Sequence, residues 1–158
     1  SMEIIHLVLG KASPDRMNGV NKMVFQLASR QSATGRKASV WGITPSSDNN
    51  YSDRNFETRL FRAFRNPFKV DPSLVEALMQ LKGNVVIHLH GGWIPVFSTV
   101  SKHLSNLGVP FVITPHGAYN KVAMKRSVVK KFFYFHCFEK GVIRRARRIH
   151  CIGESEVK

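Results

Sequence analysis

Short apolar runs alternate with helical patterns along the first half of the chain. Residues Glu3 to Leu9 form a mostly apolar run that ends at Gly10, which predicts a buried strand. Apolar residues then recur at helical spacing from Val20 to about Thr34, where Gly35 provides a C-terminal stop. Similar patterns predict a strand over 37–43, a polar loop over 45–55, a strand over 57–64 and a helix over 71–81.

The second half repeats this alternation with longer apolar runs. The patterns predict strands over 84–89, 109–114 and 148–152, a helix over 96–107 and a long basic helix over 121–147. Strands and helices that alternate at short intervals are typical of an α/β domain with a mainly parallel sheet and helices on both faces. Such sheets bind ligands at the carboxyl ends of their strands, so we expect a functional site at that edge.

Length and composition are those of one globular domain. The 158 residues are 43% hydrophobic and 22% charged, and two cysteines are too few for a disulfide scaffold. Ser1 precedes Met2 and is interpreted as a residue left by tag cleavage, so the domain is assigned to residues 2–158. No signal-peptide pattern and no apolar run of roughly 20 residues is present, so we expect a cytoplasmic protein with free thiols at Cys137 and Cys151.

The charge balance is the unusual feature of the composition. The chain has 24 Lys and Arg against 10 Asp and Glu, a net charge of +14. This excess predicts an anionic partner, which could be a nucleic acid, a phosphorylated metabolite or a membrane surface. The bases concentrate in the predicted helix 121–147, whose basic face would suit an anionic lipid surface. Basic and aromatic residues also alternate between Arg54 and Lys69, a pattern that can serve nucleic-acid stacking.

Two histidine-containing motifs fall at the predicted ends of buried strands. His88 and His90 are two residues apart, so they share one face of a strand, and Gly91 follows them. His116 likewise follows a buried strand and precedes Gly117. One interpretation is a metal-dependent hydrolase in which His88, His90 and His116 bind zinc, although no nearby carboxylate would complete its site. The other is that one of His88 and His90 packs internally while the other contacts a ligand at the strand end. His116 could face the same cleft, or it could be a structural histidine that caps the sheet.

A third motif opens the first helix. Asn18, Gly19 and Val20 lie where the loop after the first strand becomes a helix. Glycine there permits a close backbone approach, and the amides at a helix start attract phosphate. The glycine spacing of a dinucleotide fingerprint and the lysine of a P-loop are both missing. A glycine needed only for a turn would explain the motif equally well.

The order of these motifs resembles the N-terminal half of family 4 glycosyltransferases, retaining enzymes of GT-B fold. The motifs are Asn18-Gly19-Val20, His88-Leu-His90-Gly91, Thr114-Pro-His116-Gly117 and the closing stretch from Ile149 to Ser155. The resemblance implies a Rossmann-like domain that binds the acceptor, while a second domain binds a nucleotide-sugar. It further implies that sugar is moved to a glycan or lipid-linked acceptor in cell-surface polysaccharide synthesis.

The resemblance also assigns roles to individual residues. His116 would be catalytic, facing the cleft and contacting the transferred sugar. His90 and Gly91 would line the acceptor side, and Lys121 would help to bind an anionic acceptor. The other residues that it places in the substrate site are Asn18, Gly19, Val20 and Gly117. No metal is expected.

Two further expectations concern the whole protein. We expect the chain to be cut short before a donor-binding domain, so that this domain has no cofactor of its own and does not transfer sugar alone. The nucleotide-sugar is expected in the full-length enzyme, which would lie in the cytoplasm or peripherally at the inner face of the plasma membrane through helix 121–147. No nucleic acid is expected as a partner. A basic nucleic-acid-binding module is the first alternative, and the zinc hydrolase is the second.

Overall fold

A computed structural model describes residues 2–15, 19–46, 48–51, 53–116, 139–146 and 148–149. These residues form a six-stranded sheet in the order β3-β2-β1-β4-β5-β6, and every adjacent pair is parallel. The strands are β1 (Glu3–Leu9), β2 (Ala38–Thr44), β3 (Glu57–Arg62), β4 (Val85–His90), β5 (Phe111–Thr114) and β6 (Arg148–Ile149). The helices are α1 (Gly19–Ala33), α2 (Pro72–Met79), α3 (Pro95–Leu107) and α4 (Lys140–Arg145).

This architecture confirms the predicted α/β class, and the ends of the elements follow local sequence signals. Asp71 caps α2, since its carboxylate accepts a hydrogen bond from the backbone N–H of Ser73 at 2.9 Å. Gly108 ends α3 in the left-handed conformation with φ of 71°. The third strand ends at Arg62 and not at Phe64, because its partner β2 ends at Thr44, the residue that pairs with Arg62.

The sheet has two unequal apolar faces. The larger core packs α2, α3 and α4 against one face and includes Leu7, Ile87, Phe97 and Val142. A smaller cluster packs α1 against the other face over β1 and β2. The members of that smaller cluster are Val8, Ala12, Val24, Ala28, Val40 and Phe56.

The part of the chain that directly follows β1 (residues 10–15) is closely packed. The buried Asn21 side chain accepts a hydrogen bond from the Ala12 N–H at 2.9 Å, and Ala12 has a φ of 53°. Gly10 lies directly above Gly42 of β2, so a Cβ on Gly42 would come within 2.1 Å of the Gly10 carbonyl oxygen. This contact leaves no room for a side chain at Gly42 beneath the first residue after β1.

Most of the predicted basic helix 121–147 lies outside the described residues. Its C-terminal part, Lys140–Arg145, is helical as α4. Among the residues that the structure describes, no helix is long and apolar enough to cross a lipid bilayer.

Candidate active site

Histidines from three neighbouring strands meet on the face of the sheet that α1 covers. His6 of β1 lies beside His88 of β4 in the parallel register, and His90 lies beside Thr114 of β5. His88 and His90 share one strand face, as their spacing predicts. His116 follows β5 directly and reaches the same cluster. We call His6, His88, His90 and His116 the histidine cluster.

Three of these rings and one amide form a continuous chain of hydrogen bonds. Gln31 of α1 accepts through Oε1 from His6 Nε2 at 2.7 Å. His6 Nδ1 lies 2.8 Å from His90 Nε2, and His90 Nδ1 lies 2.8 Å from His116 Nε2. His88 stands beside this chain: its ring stacks on His90 with centroids 3.9 Å apart, and its Nε2 is hydrogen-bonded to the Thr114 hydroxyl.

Burial makes the cluster an unusual environment for imidazoles. His6 and His90 are 0% and 1% exposed, whereas His116 is only partly buried. Removal from water lowers the pKa of His6, and its hydrogen bond to Gln31 opposes that effect. His6 is therefore a neutral ring at neutral pH. Buried polar side chains of this kind require partners, and the cluster provides them.

The backbone at this edge is held in left-handed conformations. Gly91 has a φ of 125°, Trp93 of 61° and His116 of 54°. The Gly91 N–H donates to the Thr114 carbonyl at 2.8 Å, which joins the corner after β4 to the end of β5. A Cβ on Gly91 would also lie 2.4 Å from Ile94 Cδ1, so a structural requirement alone explains glycine there. For Trp93 and His116 the conformation is strained, a condition that often accompanies function.

Glu139, at the start of α4, supports the corner after β4. Its Oε2 accepts a hydrogen bond from the Trp93 N–H at 2.8 Å, and the residue is 1% exposed. Burial raises the pKa of Glu139 to about 7, although the Trp93 N–H favours the ionised form. The protonation of this carboxyl thus changes near neutral pH.

A cavity of about 330 Å³ opens beside the cluster, between α1 and the ends of β4 and β5. This volume lies at the lower end of the range for small-molecule sites. Most of the lining is apolar or uncharged, and Arg30 provides a positive charge. The lining residues are Met23, Gln26, Leu27, Arg30, His88, His90, Thr114 and His116.

The positions of the ring nitrogens in the histidine cluster test the interpretation that the cluster binds zinc. Among the described residues, His6, His88 and His90 each have one ring nitrogen that lies within 4.8 Å of a ring nitrogen of the other two. His116, which the sequence pattern assigns to the zinc set, is outside this group. The His6–His90 and His90–His116 nitrogens face each other at hydrogen-bond distance, whereas metal ligands would converge on a common point. The arrangement therefore favours hydrogen bonding within the cluster.

The remaining predicted site residues divide into two groups. Gly19 and Val20 begin α1, and no described atom lies within 4 Å of a Cβ built on Gly19. Asn18, Gly117 and Lys121 lie outside the described residues. The structure thus brings His90, Gly91 and His116 together at the sheet edge. The predicted substrate contacts of the motif that opens α1 stay a prediction from the sequence.

Two members of the hydrogen-bonded chain, His6 and Gln31, were not predicted. His6 is a lone polar residue inside the apolar run of β1. This polar position in a buried strand is the feature of the sequence that could have indicated a functional residue. Gln31 gives no signal of its own, because many polar residues follow Leu27 in α1.

The basic and aromatic residues between Arg54 and Lys69 pack against one another. Phe56 and Phe61 are buried, with the Arg54 guanidinium 5.1 Å from the Phe56 centroid and that of Arg59 5.4 Å from the Phe61 centroid. Lys69 Nζ lies 4.3 Å from the Phe64 centroid. These rings serve the protein's own packing, which removes the main support for nucleic-acid stacking along this segment.

Comparison with solved structures shows only distant likeness. Three crystal structures of S. aureus homoserine dehydrogenase, at pH 6.5, 6.0 and 7.0, match with TM-scores of 0.39, 0.40 and 0.40 and identities of 11%, 11% and 9%. Each match covers 95% of this chain but 31%, 32% and 32% of the enzyme, so the chain spans about a third of its length. This likeness says nothing about what the chain does. A search of curated protein sequences gives no significant match.

Comparison with protein-family models is decisive. The model of Glycosyltransferase Family 4 matches residues 17–158. That range begins just before α1 and includes His88, His90 and His116 with the strands that carry them. The chain therefore belongs to glycosyltransferase family 4.

Proposed function

We propose that the chain is the acceptor-binding domain of a retaining glycosyltransferase. The intact enzyme would move a sugar from a nucleotide-sugar to a glycan or lipid-linked acceptor in cell-surface polysaccharide synthesis. The observation that carries the proposal is the contact between His90 and His116 at the ends of β4 and β5, beside a cavity of about 330 Å³. Ligands of parallel α/β sheets bind at this edge, and membership of the family supplies the reaction class.

In the proposed reaction an acceptor hydroxyl attacks the anomeric carbon of the donor sugar. A bond forms between the hydroxyl oxygen and that carbon, and the bond to the nucleoside diphosphate breaks with its electron pair. The hydroxyl proton passes to the oxygen of the departing diphosphate, and the configuration at the anomeric carbon is retained. Fixed positive groups and helix N-termini of a donor-binding domain would stabilise the leaving diphosphate.

The residues of this chain would hold the acceptor and the transferred sugar. His116 would contact the sugar at the mouth of the cavity, while His90 and Gly91 line the acceptor side. Gly19 and Val20 would face the substrates from the start of α1, with Asn18 beside them. Gly117 and Lys121 would complete the site, Lys121 by binding an anionic acceptor.

The location of the enzyme follows from its charge. The sequence from Lys121 to Arg148 has ten Lys and Arg and one acid, Glu139. Each base near an anionic bilayer contributes about 1 kcal/mol of attraction. The enzyme would thus act in the cytoplasm, held peripherally at the inner face of the plasma membrane where a lipid-linked acceptor is available.

The test is sugar transfer by the full-length protein. Purified enzyme is incubated with labelled UDP-glucose, UDP-N-acetylglucosamine or GDP-mannose and with lipid and polysaccharide fractions of the source cells as acceptors. We expect a labelled acceptor from at least one combination, with the anomeric configuration of the donor preserved in the NMR spectrum of the product. The 158-residue chain alone is expected to give no product. Inverted configuration in the product, or no transfer from any donor to any fraction, would overturn the proposal.

A further inference from the structure

The hydrogen-bonded chain through the histidine cluster has a direction. It begins at Gln31 Oε1, passes through His6 and His90, and ends at His116 Nε2. Each neutral imidazole carries one N–H and one bare nitrogen. Three neutral rings therefore bring three protons to three contacts, and each contact needs one.

The amide at the start decides which nitrogen of each ring carries the proton. Gln31 Oε1 can only accept, so His6 must donate from Nε2 and its Nδ1 is bare. His90 then donates from Nε2 to His6 Nδ1, which leaves His90 Nδ1 to accept from His116 Nε2. By this succession all three rings are Nε2–H tautomers, and the bare nitrogen of His116 is Nδ1.

The surroundings are consistent with neutral rings. His6 and His90 are buried, and burial lowers the pKa of His6. The charged group that faces the cluster from α1 is Arg30, which disfavours additional positive charge. Among the described residues, none of those that line the cavity is a carboxylate, and His88 of β4 stacks on His90 as a further titratable ring.

We propose that Gln31 and His6 are positioning residues that, through His90, hold His116 as the Nε2–H tautomer. The role of His116 towards a sugar rests on the proposed function. The proton arrangement itself does not, because it follows from contacts within this chain. A failure of sugar transfer would therefore leave it standing, and the two proposals can fail separately.

The tautomers can be read directly by NMR. The 158-residue chain is prepared with ¹⁵N-labelled histidine, and long-range ¹H–¹⁵N correlations assign the protonated nitrogen of each ring near neutral pH. We expect Nε2–H forms for His6, His90 and His116. The Gln31→Leu variant removes the terminal acceptor, and the ratio of Nε2–H to Nδ1–H in His116 should fall roughly fivefold or more, as loss of one hydrogen bond predicts.

A second variant separates positioning from simple packing. Gln26→Leu is the matched control, since Gln26 lies on the same helix and lines the same cavity but is outside the hydrogen-bonded chain. It should leave the tautomer of His116 unchanged.

Several results would overturn the inference. An Nδ1–H tautomer of His116 in the unmodified chain would do so without any variant, even if Gln31→Leu did not fold. So would equal tautomer ratios in folded Gln31→Leu and wild type. Stoichiometric zinc retained after dialysis against a chelator, with the histidine N–H signals lost, would identify a metal site instead.

Discussion

The chemistry of the site depends on imidazoles that are buried yet paired. An unpaired polar group in an apolar interior costs about 1–3 kcal/mol, so His6 and His90 are tolerated in the sheet only because each has ring partners. Their partners are mainly other side chains of the cluster. This makes each ring sensitive to its neighbours, and a change at one position should be felt at the next.

Glu139 is the other buried titratable residue whose position matters. It joins α4 to the strained corner at Trp93, 46 residues earlier in the chain. Burial raises its pKa from 4.5 to about 7. At pH values between 4.5 and 7, the folded state therefore keeps a proton on this carboxyl that the unfolded state has released. The carboxyl therefore favours the folded state below about pH 4.5, and this contribution is lost as the pH rises to about 7.

Replacing Glu139 by Gln should remove this pH dependence. Gln keeps an oxygen that can accept from the Trp93 N–H but cannot ionise. We expect Glu139→Gln to match wild type near pH 4.5 and to exceed its free energy of unfolding by up to about 3 kcal/mol at pH 8. Urea denaturation at both pH values measures the difference.

The control for this prediction is Glu76→Gln, which changes an exposed carboxyl on α2. It should shift stability by less than about 0.5 kcal/mol at either pH. If Glu139→Gln and wild type showed the same pH dependence, Glu139 would not be buried in the way described.

At the scale of elements, the sequence predicts the strands and helices well because local signals determine them. Apolar runs define the strands, and Gly35 and Gly108 follow the ends of α1 and α3. The third strand is shorter than predicted because its partner β2 ends at Thr44, which lies much earlier in the sequence. The partners of His6 are likewise non-local, 84 residues away at His90 and 25 at Gln31. The hydrogen-bonded chain depends on strand register and helix placement, which apolar periodicity does not specify.

The contact between β2 and the loop after β1 gives a test at this scale. A methyl group on Gly42 would lie 2.1 Å from the Gly10 carbonyl oxygen and 3.1 Å from Leu60 Cδ2. Because the first of these is backbone, the loop or the strand must move. Gly42→Ala should lower the free energy of unfolding by about 2 kcal/mol or more.

Gly19→Ala is the matched control, since no described atom lies within 4 Å of the added carbon. We expect its stability to stay within about 0.5 kcal/mol of wild type in urea denaturation. Equal stability of Gly42→Ala and wild type would contradict the close approach of the two backbones.

In the molecule as a whole, the larger core and the candidate site lie on opposite faces of the sheet. The larger core lies on the face covered by α2, α3 and α4, whereas the histidine cluster lies on the face covered by α1. Substitution of His116, which is only partly buried at the end of β5, should therefore spare the main core. Activity and folding can then be measured apart, which makes His116 the most informative residue to change.

The most direct measurement compares sugar transfer by full-length His116→Ala and His103→Ala enzymes. His103 is a histidine of α3, on the opposite face of the sheet from the cluster. We predict that His116→Ala lowers kcat/KM by about a hundredfold or more in an enzyme that still folds, as loss of a group at the reacting centre would. Its free energy of unfolding should fall by about 1–3 kcal/mol, because buried His90 loses one hydrogen-bond partner. His103→Ala should retain wild-type activity. Wild-type turnover in a folded His116→Ala enzyme would contradict the assignment of the site.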